Sequence, residues 1–156
     1  MDSFVKGYTL KDTETWLYKI AQRNNIIYYN YGINGNDLNG ENGVALRFSD
    51  MIDELDYIVV LMGHNDANPD LHNGIAVSIG LDEDTALFTF KGVLNILING
   101  LLNKYHMSKI LFLSSFNRKG IELPYVEAIG EICEKYSVNF YNNYKSSRVA
   151  FKIILS

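Results

Sequence analysis

The sequence contains few of the residues that cross-link, interrupt or anchor a chain. Cys133 is its single cysteine, so no disulfide can form within the chain. Only two prolines occur among 156 residues, and no apolar run reaches the roughly 18 residues that a transmembrane helix needs. The sequence therefore predicts no disulfide scaffold, no proline-rich linker and no membrane-spanning segment.

Positive charge is also scarce and is scattered along the chain. Fourteen Lys and Arg residues against 18 Asp and Glu residues give a net charge of −4. No basic stripe of the kind that binds nucleic acid is present, and no basic segment followed by an apolar run predicts a signal peptide. We therefore expect a cytoplasmic protein that has no nucleic-acid partner.

The composition that remains is that of a globular domain. Hydrophobic residues make up 47% of the chain and charged residues 21%, which is enough to bury an ordinary core. The length suits one domain. We predict a single domain over residues 1–156, in which residues 143–156 form an atypical tail.

Helical and strand patterns alternate along the chain. Short β-branched and aromatic runs predict strands at residues 26–31, 57–62, 109–114 and 138–141. Apolar residues at helical spacing predict helices at residues 13–23, 43–55, 85–105 and 123–136. This alternation is typical of an α/β domain that is built around a parallel sheet.

Polar motifs follow two of the predicted strands and open the chain. Residues 32–35 (GING) follow the first strand, residues 63–66 (GHND) follow the second, and residues 2–3 (DS) precede the first helix. Ligands of parallel sheets bind beyond the carboxyl ends of the strands. We therefore expect the three motifs to converge on one edge of the sheet.

Taken in order, the motifs resemble those of the SGNH (GDSL-type) serine ester hydrolases. Residues 2–8 resemble the Gly-Asp-Ser block, with Met1 at the position of its glycine. Residues 30–35 resemble the second block, an Asn followed five residues later by Gly, and residues 63–66 resemble Gly-x-Asn-Asp. The resemblance covers residues 2–142. It implies a three-layer, flavodoxin-like parallel sheet (the SGNH hydrolase fold) that is incomplete at both ends.

The resemblance also implies a set of site residues. Ser3 would be the nucleophile, and its backbone N–H would form an oxyanion hole with the backbone N–H of Gly35 and the side-chain amide of Asn65. Fixed donors of this kind stabilise the charge of a tetrahedral intermediate. His64 and Asp66 would support binding structurally. The implied substrate is an acyl or acetyl ester of a small molecule, a glycan or a lipid, with no cofactor and no metal.

The proton-transfer residues of this family are not found in the sequence. A serine hydroxyl needs a histidine base, which an adjacent carboxylate orients. The family supplies both in a late Asp-x-x-His block, whereas residues 135–156 contain no Asp, Glu or His. For His64, His72 and His106 no carboxylate partner can be identified from the sequence. We therefore expect impaired hydrolysis, and the alternative is a catalytically inactive, truncated SGNH-fold protein or binding module.

Simpler interpretations of the same residues stay open. Ser3 can be an ordinary terminal residue, Gly35 a turn glycine, and Asn65 with Asp66 an Asx-turn or capping pair. Cys133 is expected to be a buried core thiol. A phosphate-binding, flavodoxin-like protein is a third possibility, but no glycine-rich loop connects a strand to a helix. Residues 34–43 lack the ligand spacing of a calcium loop.

The resemblance leaves the position of the first family strand unfilled. Without that strand, inner edges of the sheet would be unpaired, which favours association. The remaining strands can close up, or the apolar residues 149–155 can supply a replacement strand within the chain or between chains. A homodimer through unpaired sheet edges is therefore one expected assembly.

Overall fold

The computed structural model of the protein describes residues 6–7, 9–38, 43–118 and 120–146. Two features singled out from the sequence lie outside these ranges, namely Ser3 and the apolar segment 149–155. Their predicted roles as nucleophile and replacement strand therefore stay predictions.

Three strands and four α-helices make up the regular structure of the described ranges. The strands are β1 (Tyr57–Met62), β2 (Lys109–Ser114) and β3 (Asn139–Tyr141). The helices are α1 (Trp16–Asn24), α2 (Val44–Arg47), α3 (Phe90–Lys104) and α4 (Leu123–Lys135). Short 3₁₀ turns occur at Asp12–Glu14, Phe48–Asp50 and Pro69–Leu71.

The strands form one parallel sheet in the order β1-β2-β3. Tyr57 is aligned with Lys109, and Phe112 of β2 is aligned with Phe140 of β3. Successive right-handed crossovers in one direction place α3 and α4 on the same face of the sheet, where the two helices pack against each other. The α/β class and the parallel sheet that the sequence predicted are confirmed.

The core lies between this face of the sheet and helix α3. Phe90, Val93 and Leu94 of α3 are fully buried, as are Phe112 of β2 and Ile129 of α4. Burying a large apolar side chain contributes roughly 1.5–3 kcal/mol. Helix α3 is therefore the main apolar support of the sheet, and it fixes where the carboxyl ends of β1 and β2 lie.

The strand predicted at residues 26–31 does not form, and this prediction is wrong. The segment pairs with no described strand, and Ile27 is 83% exposed. It is held instead by Tyr31, whose hydroxyl accepts a hydrogen bond from the Ile52 N–H at 3.2 Å. β-Branched residues favour extended backbone, but a strand also needs a neighbour for its ladder. Within the described ranges, β1 is consequently an edge strand.

Two predicted helices are shorter in the structure than in the sequence analysis. The helix expected at residues 43–55 is a four-residue α2 followed by a 3₁₀ turn. There Phe48 lies against Gly100 of α3, where a β-carbon on the glycine would fall within 2.1 Å of the ring. The helix expected at residues 85–105 begins only at Phe90. In both places local caps and packing set boundaries that apolar spacing does not encode.

Removing the cap of α3 tests its observed start. The Thr89 hydroxyl accepts a hydrogen bond from the Gly92 N–H at 3.2 Å and donates one to Asp84 at 3.1 Å. Thr89→Ala should lower the free energy of unfolding in urea by about 1 to 2 kcal/mol. Thr85→Ala, at the exposed predicted start, should change it by less than about 0.5 kcal/mol. An equal loss in both variants would contradict this assignment.

Candidate active site

Polar residues occupy the turn that directly follows β1. The turn begins at Gly63, whose φ of +99° disfavours a side chain. Its backbone is held by a hydrogen bond from Ala67 N–H to the Gly63 carbonyl at 3.3 Å. His64, Asn65 and Asp66 follow, and each is more than nine-tenths buried. We call residues 63–66 the GHND turn.

The loop that carries the second motif reaches the GHND turn directly. The Asn65 side-chain amide donates to the Asn36 carbonyl at 2.7 Å. Asp66 accepts a hydrogen bond from the Leu38 N–H at 2.8 Å. The structure thus brings the second and third motifs together at the carboxyl end of β1, as the motif order predicted.

Gly35 lies in this loop in a conformation that suits glycine. Its φ is +71°, and apart from its chain neighbours no described heavy atom lies within 4 Å of the position that a β-carbon would take. Among the described residues, the requirement for glycine therefore comes from the backbone angle and not from crowding.

The amides beside Gly35 retain hydrogen-bonding capacity. The Asn65 amide has two N–H groups, and one of them donates to Asn36. The Asn36 side-chain nitrogen is buried and has no hydrogen-bond partner in the described part of the chain. A buried donor without a partner costs roughly 1–3 kcal/mol. Among the described residues, the Asn36 side-chain nitrogen is therefore a buried donor without an acceptor close to the Asn65 amide.

His72 holds the GHND turn from the loop after Pro69–Leu71. Its Nε2 donates to the Asn65 carbonyl at 2.9 Å, and its Nδ1 lies 3.7 Å from a carboxylate oxygen of Asp37. Nε2 carries the hydrogen that it donates to the carbonyl. Burial raises the pKa of Asp37, and the His72 charge opposes this rise. His72 thus connects the Asn65 backbone with the Asp37 carboxyl group.

His64 belongs to a second chain of polar side chains, which runs from the completely buried Glu122 to the exposed Arg118. Arg118, which follows β2, donates from Nη1 to His64 Nε2 at 2.9 Å. His64 Nδ1 therefore carries hydrogen and donates to Glu122 Oε1 at 3.1 Å. Glu122 is completely buried. The sequence analysis missed both partners, and its only signal was that Glu122 directly precedes a helix with a proline in the first turn.

The sequence identified no carboxylate partner for these histidines, and the structure supplies one for two of them. His64 has Glu122 and His72 has Asp37. Both partners lie far away along the chain, so only the folding of the sheet and its loops brings them into contact.

Comparison with known proteins identifies the fold of the chain. No protein-family model matches the sequence, and no curated protein matches it. A protein from Lactobacillus plantarum superposes with a TM-score of 0.80 at 23% identity, over 92% of this chain and 74% of that one. A Bacteroides ovatus protein named as a GDSL-like lipase gives 0.69 at 19% identity, over 85% and 66%. A Desulfitobacterium hafniense protein named as lipolytic and of the G-D-S-L family gives 0.63 at 13% identity, over 90% and 73%.

The chain has the SGNH hydrolase fold. The family resemblance drawn from the three motifs is thereby confirmed at the level of the fold. At these sequence identities the structural similarity supports the architecture alone. The substrate and the chemistry have to be argued from the site.

None of the described histidines combines a place at the GHND turn with an unused ring nitrogen. His64 and His72 use both ring nitrogens in the contacts described above. His106 lies at the opposite edge of the sheet, beside Ser108 and Asp53 in an open groove of about 400 Å³. All three histidines lie in the described ranges, whereas Ser3 does not.

Asp66 is the most strongly perturbed carboxyl group of the GHND turn. Burial raises its pKa from 3.8 to about 7, the Leu38 N–H opposes the rise, and the Asp37 charge adds to it. The group is therefore protonated under acidic conditions and ionises near neutrality. This environment suits a carboxyl group that supports the site structurally.

The Asp66 pKa predicts how stability depends on pH. Between pH 3.8 and about 7 the unfolded chain releases the proton that the folded chain keeps. Stability should therefore fall with rising pH, by roughly 1.4 kcal/mol per unit, relative to Asp66→Asn, and level off above this window. Urea unfolding of both proteins from pH 3.5 to 8 measures the difference. The unfolding free energy of Asp53→Asn, an exposed control, should depend on pH as that of the wild type does. The prediction would be refuted if Asp66→Asn also showed the pH dependence of the wild type.

The structure also bears on metal binding, on Cys133 and on membrane crossing. Among the described residues, no group of three His, Cys, Asp or Glu side chains is arranged to hold a metal ion. Cys133 is 1% exposed, and burial raises the pKa of its thiol to about 12, so the prediction of a core thiol is confirmed. None of the described helices has the length and apolar character that crossing a bilayer requires.

Proposed function

We propose that this chain is a serine ester hydrolase of the SGNH type. Ser3 attacks the carbonyl carbon of an acyl or acetyl ester of a small molecule, a glycan or a lipid. Gly35 and Asn65 donate hydrogen bonds to the oxygen that becomes negative. The observation that carries this proposal is the direct hydrogen bond between Asn65 and the Gly35 loop at the carboxyl end of β1.

The geometry supports stabilisation of the oxyanion. Attack by Ser3 moves the carbonyl π electrons onto oxygen, and a fixed N–H donor at that point lowers the barrier by about 3–4 kcal/mol. The Asn36 carbonyl holds the Asn65 amide in place before substrate arrives.

The transfer of the Ser3 proton is the step that we expect to limit the rate of hydrolysis. Oxyanion stabilisation and binding without a full triad accelerate hydrolysis by roughly 10³- to 10⁴-fold over water. Because His64 and His72 are engaged elsewhere, we expect turnover of activated esters to be slow. A small base that diffuses into the site should accept the proton and increase the rate.

Chemical rescue tests the proposal. Hydrolysis of p-nitrophenyl acetate is followed with and without added imidazole, in parallel with labelling by a fluorophosphonate probe. We expect imidazole to accelerate both reactions at least tenfold beyond its effect in buffer alone. Ser3→Ala should abolish the acceleration, whereas Ser49→Ala, at an exposed serine, should retain it. Asn65→Ala should lose about 100-fold in rate, with folding checked by circular dichroism.

Failure of that experiment would favour a second function. If the folded chain is not labelled even with imidazole, or if Ser3→Ala is labelled equally, Ser3 is not a nucleophile. The protein would then be a non-catalytic binding module of the SGNH fold. The observation in favour of this alternative is that His64 and His72 serve structural hydrogen bonds.

A further inference from the structure

Asn34 precedes Gly35 in an exposed turn of which the proposed function uses only the glycine. The Asn36 N–H donates to the Ile33 carbonyl at 3.4 Å, and Gly35 has a φ of +71°. Asn34 and Gly35 therefore occupy the two central positions of the turn, and both are exposed. An asparagine directly before a glycine is chemically labile, because glycine has no side chain to hinder the approach of its nitrogen to the asparagine amide.

The sequence contains five Asn-Gly pairs, and the structure distinguishes three of them. The pairs at 34–35, 73–74 and 99–100 lie in the described ranges, whereas those at 39–40 and 42–43 do not lie wholly within them. The reaction requires the glycine N–H to lose its proton. A glycine N–H that already donates a hydrogen bond is therefore protected.

Hydrogen bonding and packing protect two of these glycines but not Gly35. The Gly74 N–H donates to the Pro69 carbonyl at 2.9 Å. Gly100 lies inside α3, where each N–H donates to the carbonyl four residues earlier, and the Phe48 ring packs against it. For the Gly35 N–H, no hydrogen-bond acceptor is found in the described part of the chain. Gly35 is thus the least protected of the three.

The property that suits Gly35 to an oxyanion hole also exposes it to this reaction. A backbone donor that is to bind an oxyanion must be free of internal acceptors before the substrate arrives. The same free N–H, when it follows an asparagine, can lose its proton to water or hydroxide. The nitrogen then becomes a nucleophile beside the Asn34 side chain.

We propose that Asn34 and Gly35 form a self-modification site that switches off the candidate oxyanion hole as the protein ages. The deprotonated Gly35 nitrogen attacks Cγ of Asn34 and forms a C–N bond. The Cγ–Nδ2 bond breaks, and Nδ2 takes up a proton and leaves as ammonia. The product is a cyclic imide whose Gly35 nitrogen carries no hydrogen. Water then opens the ring at either carbonyl, which restores the N–H and leaves an aspartyl or isoaspartyl residue at position 34.

Each product alters the site in a defined way. The imide lacks the Gly35 N–H donor. The isoaspartyl form lengthens the backbone before Gly35 by one carbon and displaces this N–H, and both hydrolysed forms bring a carboxylate close to the proposed position of the oxyanion. Losing one oxyanion donor lowers the rate about 100-fold. This loss rests on the proposed hydrolase function, whereas the modification itself does not.

Peptide mapping of the aged protein tests the site. The full chain is incubated at pH 8, either folded or in urea, and mass spectrometry follows the exchange of the amide NH2 for OH at each asparagine. In the folded chain, Asn73 should react at least about fivefold more slowly than Asn34, because the Gly74 N–H must first lose its hydrogen bond. Asn99 should react at least about 100-fold more slowly, because the helix must open first. In urea the three rates should converge.

Variants connect the modification to activity. Asn34→Gln keeps a neutral amide but would have to form a larger ring, which closes more slowly. This variant should therefore retain its imidazole-assisted hydrolysis of p-nitrophenyl acetate on ageing. The wild type should lose this activity in proportion to the fraction that is modified at position 34. Asn73→Gln is the matched control and should lose activity as the wild type does.

The outcomes separate this inference from the proposed hydrolase function. If Asn34 is modified no faster than Asn73 and Asn99 in the folded chain, the site is overturned even if Ser3 is labelled. Selective modification of Asn34 supports the site even if the chain hydrolyses no ester, in which case only the hydrolase proposal fails. Selective modification without any loss of hydrolysis overturns the switch, because the Gly35 N–H would then not be a required donor.

Discussion

The candidate site depends on the two hydrogen bonds that join the GHND turn to the preceding loop. Asn65 donates to the Asn36 carbonyl, and Asp66 accepts from the Leu38 N–H. The Asp66 carboxyl group and the Asn65 amide are both buried, so leaving either without a hydrogen-bond partner would be costly. These bonds place Gly35 at the carboxyl end of β1, although residues 26–31 form no sheet pairs. The loop is thus positioned by side chains of the turn and not by a strand ladder.

In the proposed mechanism, charge stabilisation and proton transfer fall to different residues. The Asn65 amide is fixed by its hydrogen bond to Asn36, whereas His64 and His72 are held in other networks. His72 fastens the GHND turn against Asp37, and His64 links Glu122 to Arg118. Each imidazole therefore stabilises the shape of the site. The same contacts occupy the nitrogens that a general base would need.

The sequence predicted the bounds of the central strands more accurately than those of the neighbouring segments. The continuous apolar runs of β1 and β2 were predicted at the bounds that the structure shows, because strands covered by helices read as unbroken hydrophobic segments. The segment 26–31 has an equally strong β composition but lacks a described neighbour. Helix α3 starts later than its apolar spacing predicts because Thr89 caps it. The pattern of apolar residues thus locates a helix or a strand, and tertiary contacts decide its length and its pairing.

The sequence by itself determined the α/β alternation, the bounds of β1 and β2 and the place of the third motif at the carboxyl end of β1, because these follow from local apolar periodicity and from the direction of parallel strands. Only the tertiary structure decided the partners of the histidines. Glu122 meets His64 across 58 residues, and Arg118 meets it across 54. Such pairings depend on where a crossover helix returns the chain, and short-range pattern carries no information about that.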